Sequence, residues 1–461
     1  MARPYPIDSA RADDHCAFCH DRRLSECIPR PIRYNGSGPR RESLSGWRTN
    51  PQAAAEVPSS LSTIAEPVPI AFAAALRLCE FRGFGTNLKS ERLLSRQRMN
   101  LQDFEYDLPS DRIAQRPIEQ RDASRLLLLD RATGAWEDRT FRQLPDLLHG
   151  DELIVINNTR VMPARLFGRR AGAHAELPGR NRRVRREFLS AAIEVLLVRQ
   201  LAPDLWEGLV RPGRKVSSGE RIVFGDGQLE AHVEGRGDYG LRVLRFVSRG
   251  DFVDALERLG HIPLPPYIKR TDELIDRERY QTVYAREGCA VAAPTAGLHF
   301  TLEILDRLRA RGIEITEITL DVGLGTFEPI RTERLEDHKI HAEAYEISLA
   351  AAEAIEQARR ARRPILAVGT TVVRALEDIA EKLTGGASMI ATGRFEATIF
   401  LYPGKPFRVV SQLLTNFHLP RSSLLALVAA FGGRDHILAA YRHAVQAGYR
   451  FYSYGDCMLI R

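Results

Sequence analysis

The sequence lacks any uncharged apolar run near the roughly 18 residues that a membrane-spanning helix needs. Its longest candidates, Pro67–Leu76 and Leu424–Phe431, are far shorter. The cytoplasm is therefore the expected compartment, and no internal repeat or secretory signal is visible. Cysteine is scarce: Cys16, Cys19, Cys27 and Cys79 precede Met99, and only Cys289 and Cys457 follow it. Two unpaired cysteines fit a reducing cytosol. A positive global field is also missing from most of the chain. The net charge is +7, yet residues 1–98 hold 15 Lys plus Arg against 10 Asp plus Glu, leaving 51 against 49 in the rest. Any RNA must then be held by local basic patches.

What is present is the composition of a soluble globular protein, 44% hydrophobic and 27% charged, with 461 residues suggesting two or three domains. Residues 1–98 are rich in Arg, Pro, Ser and Gly without helical or strand period, and are expected to be a disordered extension or upstream translation. Cys16-Ala17-Phe18-Cys19-His20 has metal or haem spacing, but one CxxC without a second pair is assigned to chance. From Asn100 the texture is that of an enzyme. Leu126–Asp130 and Leu153–Ile156 read as buried strands. Between residues 166 and 250 short alternating runs (Ile193–Val198, Arg221–Phe224, Leu241–Val247) separated by glycines read as a small antiparallel sheet or barrel. Beyond Asp251 helices and strands alternate: helices over Thr301–Arg311, stopped by Gly312, and Ser348–Arg362, and strands over Ile313–Val322, His341–Ile347, Ile365–Val368 and Val409–Leu414. Further helices start at Thr370 and Ser422.

Seven local motifs occur in order: Asn157 to Arg165; Gly260-His261-Ile262-Pro263-Leu264-Pro265-Pro266-Tyr267-Ile268; Ala292-Ala293-Pro294-Thr295-Ala296-Gly297-Leu298-His299-Phe300; Asp321-Val322-Gly323-Leu324-Gly325-Thr326-Phe327-Glu328-Pro329; Val368-Gly369-Thr370-Thr371 with Arg374; Thr415-Asn416-Phe417-His418-Leu419-Pro420; and Tyr452-Ser453-Tyr454-Gly455-Asp456. Together they resemble the S-adenosylmethionine:tRNA ribosyltransferase-isomerases over about residues 100–461. The resemblance implies a multidomain α and β protein: a large mixed α/β catalytic domain (99–164 and 261–461) with an inserted smaller β-barrel domain (165–260). It also implies a reaction. The ribosyl group of S-adenosylmethionine is transferred to the aminomethyl group of 7-aminomethyl-7-deazaguanine in the tRNA anticodon loop and isomerised, giving epoxyqueuosine with adenine and methionine leaving. S-adenosylmethionine is then a substrate and no cofactor is expected. A monomer is implied as well.

Two rival readings are weighed against this one. Leu320-Asp321-Val322-Gly323-Leu324-Gly325-Thr326 mimics the Gly-rich loop of a Rossmann methyltransferase, but Phe327-Glu328-Pro329-Ile330 argues against the helix that should follow. The run Arg165, Arg169, Arg170, Arg180, Arg182, Arg183, Arg185 and Arg186 suits phosphates or a solvated loop, and without stacking aromatics it cannot recognise one base.

Removing a proton beside a sulfonium and releasing adenine requires a base, an acid and fixed polar contacts. The candidate catalytic groups are His299, Asp321, His338 and His341. The candidate substrate-binding residues are Asn157, Arg160, Thr295, Gly297, Gly323, Gly325, Thr370, Thr371, Arg374, Asn416, His418, Tyr454 and Asp456. Thr370 reads equally as an anion-binding helix start or an ordinary N-cap. Asp337, His338, His341 and Glu343 have metal-like composition, but their spacing reads as a hydrogen-bonded polar cluster and no metal is expected. The loops of His299, Gly323 to Thr326, Thr370 and Asn416 are expected to converge at the carboxyl edge of the α/β domain.

Overall fold

The computed structural model describes residues 99–171, 192–237, 240–323, 330, 332–383 and 390–461. In chain order the strands are β1 (Arg125–Leu129), β2 (Trp136–Thr140), β3 (Leu153–Asn157), β4 (Thr159–Val161), β5 (Arg165–Arg170), β6 (Ala192–Ala202), β7 (Leu205–Arg211), β8 (Arg221–Phe224), β9 (Leu229–Arg236), β10 (Arg242–Ser248), β11 (Glu287–Ala290), β12 (Glu314–Leu320), β13 (Glu343–Ile347), β14 (Ile365–Val368), β15 (Gly393–Ala397), β16 (Gln412–Asn416) and β17 (Cys457–Ile460). Nine of them form one mixed sheet in the order β15-β13-β12-β3-β14-β16-β17-β1-β2. Its middle strands β12, β3, β14 and β16 are parallel, whereas β17 runs against β16.

Parallel strands need cover on both faces, and their residues are apolar without alternation for that reason. Leu153, Val155, Ile365, Ala367 and Leu413 face the helices Leu349–Arg360, Thr370–Lys382 and Ser423–Gly432. The intervening Ile154, Ile156, Leu366, Val368 and Leu414 face Phe141, Phe300 and the helix Leu302–Ala310. The period of two thus builds one core on each side of the sheet. Helix starts follow side-chain chemistry. Thr301, Ser348 and Ser422 each accept the N–H three residues on, and Gly312 ends its helix turn at φ +82°, where a side chain would strain.

The six strands β5 to β10 close into an antiparallel barrel in the order β10-β7-β6-β5-β8-β9. Leu166, Ile193, Val195, Trp206, Ile222, Phe224, Val233 and Leu244 fill its interior. The chain enters and leaves side by side: Arg165 N–H donates to the His261 carbonyl and His261 N–H donates back to Arg165, at 3.1 and 2.8 Å. A Cβ on Gly260 would stand 2.0 Å from the Pro163 carbonyl oxygen, so only glycine fits this crossing.

Two sequence expectations shift. The strand expected over Val409–Leu414 is Gln412–Asn416, because the amides of Val409 and Val410 donate to the Glu377 carboxylate, at 3.0 and 2.9 Å, instead of to a neighbouring strand. Thr370 is not the N-cap of its helix; Gly369, at φ +95°, occupies that place and no side chain among the described residues caps it. The Cys16 to His20 motif and the arginines from Arg180 to Arg186 lie outside the described residues.

Candidate active site

Because the four middle strands are parallel, their carboxyl ends bring Asn157, Asp321, Thr370 and Asn416 to one edge of the sheet. The antiparallel and parallel pairings of β13, β17 and β1 deliver Glu343, Asp456 and Ser124 to that same edge. A 3-10 turn, Thr295–His299, packs over the end of β16. The expected loops of His299, Thr370 and Asn416 therefore do meet, together with Asp321 and Gly323 at the end of β12. Gly325 lies outside the described residues.

His299 is buried with both ring nitrogens engaged, Nδ1 at 2.8 Å from Ser124 Oγ and Nε2 at 3.3 Å from Asn416 Oδ1. The Phe141 ring packs beside it at 5.3 Å. Burial pushes its pKa down to about 4, and Arg121 and Arg450 push the same way, against the Asn416 hydrogen bond. The imidazole is thus neutral near pH 7. It lines a cavity of about 20 Å³ together with Arg121, Ser124, Arg279 and Tyr454, enough room for one water.

Three buried hydroxyls beside the turn have no hydrogen-bond partner among the described residues: those of Thr282, Tyr284 and Thr371. Gly297 is where the chain makes room for them. A Cβ there would lie 2.1 Å from the Tyr284 hydroxyl and 2.8 Å from Thr282 Cγ2. Thr371 Oγ1 lies 3.6 Å and Ala296 Cβ 3.8 Å from the position of a Cβ on Gly369. Buried polar atoms without partners cost free energy, about 1–3 kcal/mol each, unless water or ligand satisfies them. Thr371 stands in the first turn of the 13-residue helix Thr370–Lys382, whose start has no side-chain cap among the described residues and whose free N–H groups and dipole favour an anion.

Asp321 is half-buried. Its Oδ1 accepts from the Cys289 N–H at 3.0 Å and Oδ2 stands 3.6 Å from the Arg394 guanidinium. Gly288, at φ +82°, leaves room for this carboxylate, since a Cβ would come 2.6 Å from Oδ1. Thr295 opens the 3-10 turn, partly exposed.

Other candidates are committed to the protein's own groups. Arg374 is buried in an ion pair with Glu343 and donates to the His341 and Ala397 carbonyls at 3.2 Å. Glu343 also faces the Gly323 N–H at 3.3 Å. His338 packs edge-on against Phe400. Asn157 ties β3 to β12 through both the N–H and the carbonyl of Leu320 at 3.0 Å. Arg160 pairs with Glu257 at 3.1 Å, on the side of the barrel helix Phe252–Leu259. His418 is buried beyond the strand end against Thr415 Oγ1, 2.9 Å away, and burial lowers its pKa to about 3. Asp456 accepts the backbone N–H groups of Arg125 and Arg450 at 2.9 and 2.8 Å, with burial raising its pKa. Tyr454 donates to Asp276 at 2.7 Å while walling the His299 cavity.

Sequence reading missed Ser124, Arg121, Thr282 and Tyr284. None sits in a quoted motif, and only proximity in the fold singles them out.

Comparison with known proteins finds relatives over the same part of the chain. The profile of a family described as "Queuosine biosynthesis protein" matches residues 101–460. The chain is 54% identical over 364 residues to an S-adenosylmethionine:tRNA ribosyltransferase-isomerase of Solibacter usitatus, covering 78% of this chain and 100% of that one. It is 52% identical over 362 residues to the protein of the same name from Symbiobacterium thermophilum, again with 78% and 100% covered. A crystal structure of an S-adenosylmethionine tRNA ribosyltransferase from Thermotoga maritima is 34% identical, covers 78% of this chain and 100% of its own, and has a TM-score of 0.42.

Proposed function

The chain belongs to the queuosine biosynthesis family of S-adenosylmethionine:tRNA ribosyltransferase-isomerases, and from that premise we propose that it carries the ribosyl group of S-adenosylmethionine onto the aminomethyl group of 7-aminomethyl-7-deazaguanine in a tRNA anticodon loop. Isomerisation then gives the epoxycyclopentane of epoxyqueuosine, and adenine and methionine depart. S-adenosylmethionine is consumed as a substrate, and no cofactor is needed. The protein works as a cytoplasmic monomer.

The observation that carries this reading is the set of buried hydroxyls without a partner among the described residues, Thr282, Tyr284 and Thr371, the last in the first turn of a helix whose start no described side chain caps. Ribose hydroxyls and water can satisfy the former; the methionine carboxylate suits the latter. Asp321, held by Cys289 N–H on one oxygen, is the base that takes a proton from the carbon next to the sulfonium. Neutral His299, its ring held by Ser124 and Asn416, walls the cavity and positions the departing base by packing. Asn157, Arg374 and Asp456 act one step back, fixing the strands and helix on which these groups stand.

Methyl transfer is not favoured. Strand β12 is followed in the sheet by the antiparallel β13, with Thr319 opposite Glu346, whereas a Rossmann glycine loop feeds a helix and then a parallel strand. The deciding experiment is incubation of the purified protein with S-adenosylmethionine and tRNA bearing the deazaguanine precursor, followed by nucleoside analysis. Free adenine with an epoxycyclopentane nucleoside is expected. A methylated base without free adenine overturns the reading.

A further inference from the structure

At the opposite edge of the sheet, where β14 and β16 begin and β17 ends, lies a cleft of about 600 Å³. Its walls carry Arg359, Arg360, Arg362, Arg363, Arg408 and Arg461, and Glu356 is the acidic residue among them. Glu356 pairs with Arg359 and Arg360 at 2.9 and 3.0 Å. Arg363 reaches Glu314 and the Asp151 carbonyl, and Arg461 the Leu147 carbonyl. Arg362 is exposed and has no side-chain partner among the described residues. Arg408 is exposed too; its hydrogen bond to Glu377 comes from the backbone N–H.

A helix carboxyl end attracts cations, which accounts for Arg359 and Arg360 in the last turn of Leu349–Arg360. It does not account for Arg408, which comes from the segment ahead of β16. Nor does it account for Gln412, which lines the cleft, is 6% exposed, and holds a buried Oε1 with no hydrogen-bond partner among the described residues. Excess guanidinium calls for phosphate, and an unsatisfied amide oxygen calls for a donor. RNA offers both, as backbone phosphates and ribose 2′-hydroxyls. The five residues of β16, at about 3.3 Å each, set this edge about 16 Å from the catalytic one, within reach of one folded RNA.

We propose that this cleft is a second RNA-contact site, in which Arg360, Arg362 and Arg408 grip backbone phosphates of the tRNA substrate and Gln412 accepts from a ribose 2′-hydroxyl. The proposal rests on the reading that the protein acts on tRNA. It adds a grip remote from the reacting base, one that sets affinity and register without touching chemistry.

The test compares two triple variants of the full chain. One is Arg360→Ser, Arg362→Ser, Arg408→Ser; the charge-matched control is Arg139→Ser, Arg258→Ser, Arg309→Ser, all exposed and away from the cleft. The cleft variant should raise the Kd for tRNA about tenfold or more at low salt and flatten the salt slope by about two units. Its Tm and S-adenosylmethionine affinity should stay those of the wild type, and the control should bind tRNA within about twofold of the wild type. Gln412→Leu should reduce the preference for RNA over DNA of the same sequence. A wild type that turns over tRNA alongside a cleft variant whose Kd and salt slope match the control overturns this proposal alone. A wild type that binds no tRNA overturns the enzymatic reading with it.

Discussion

His299 Nε2 faces Asn416 Oδ1 at 3.3 Å while the Asn416 amide nitrogen donates to the Tyr452 carbonyl, so the asparagine fixes which imidazole nitrogen carries the hydrogen. With Nε2 protonated, Nδ1 is left as an acceptor toward Ser124 Oγ. The single hydroxyl hydrogen of Ser124 is sought both by Nδ1 and by the Arg121 carbonyl 2.8 Å away.

This arrangement gives a pH signature. The folded protein keeps His299 and His418 neutral down to about pH 4 and about pH 3, whereas an unfolded chain protonates histidine near 6.5. Between those values the unfolded state binds more protons, so the stability contributed by the neutral rings is complete above about pH 6.5 and is lost as pH falls toward 4. The expected slope is about 1.4 kcal/mol per pH unit for each ring. Urea unfolding from pH 7.5 to 4.5 should show it, and His299→Gln with His418→Gln should flatten it. Identical slopes in wild type and double variant would remove both rings from the account.

Thr371 offers a cleaner probe of the ligand site. Its hydroxyl bonds to nothing among the described residues, so Thr371→Val should leave the Tm unchanged or raise it. If the hydroxyl serves S-adenosylmethionine, calorimetric titration should show affinity falling about tenfold. A variant that loses stability but binds normally would mark Thr371 as structural.

Gly297 and Tyr284 are expected to be coupled. Gly297→Ala places a methyl group 2.1 Å from the Tyr284 hydroxyl and should cost about 1–3 kcal/mol, read by urea unfolding, with a loss of turnover. Tyr284→Phe in the same chain should recover part of the stability by making room. Additive effects in that double-mutant cycle would show that the two do not press on each other.

A chain beginning at Met99 should fold and keep its activity. The family match starts at residue 101, and Met99 is already fastened: its N–H donates to Glu336 at 3.0 Å and its carbonyl accepts from Leu335 at 3.1 Å. Soluble yield, Tm and turnover of residues 99–461 check this. Insolubility or loss of turnover would show that residues 1–98 contribute.

The elements legible in the sequence were those whose apolar pattern and caps agree. Ile365–Val368 is a buried strand as read, and Thr301 and Ser422 sit directly ahead of their helices. Edge strands β2 and β15 escaped because their residues are mostly exposed and carry no alternation to read. The strand before Asn416 was displaced because Glu377, distant in sequence, captures the preceding amides. In the candidate site, loop motifs pointed to one edge of the sheet but not to roles. A buried Asn157 committed to Leu320 and a His299 facing a cavity look alike in a sequence, since neither partner is local. Ser124, Thr282 and Tyr284 are common residue types that carry meaning only through what stands beside them.

The paired crossing of Arg165 and His261, with Gly260 pressed against Pro163, bears on how this chain can change. Because the strand that leaves for the barrel and the strand that returns are fastened to each other at the base, whatever is looped out between them exerts no pull on the sheet. Additions or deletions beyond that clasp alter the length of the excursion and not the spacing of the strand ends. The barrel is thus free to be remodelled while the strand ends of the sheet stay in place, a division of labour written into one pair of backbone hydrogen bonds.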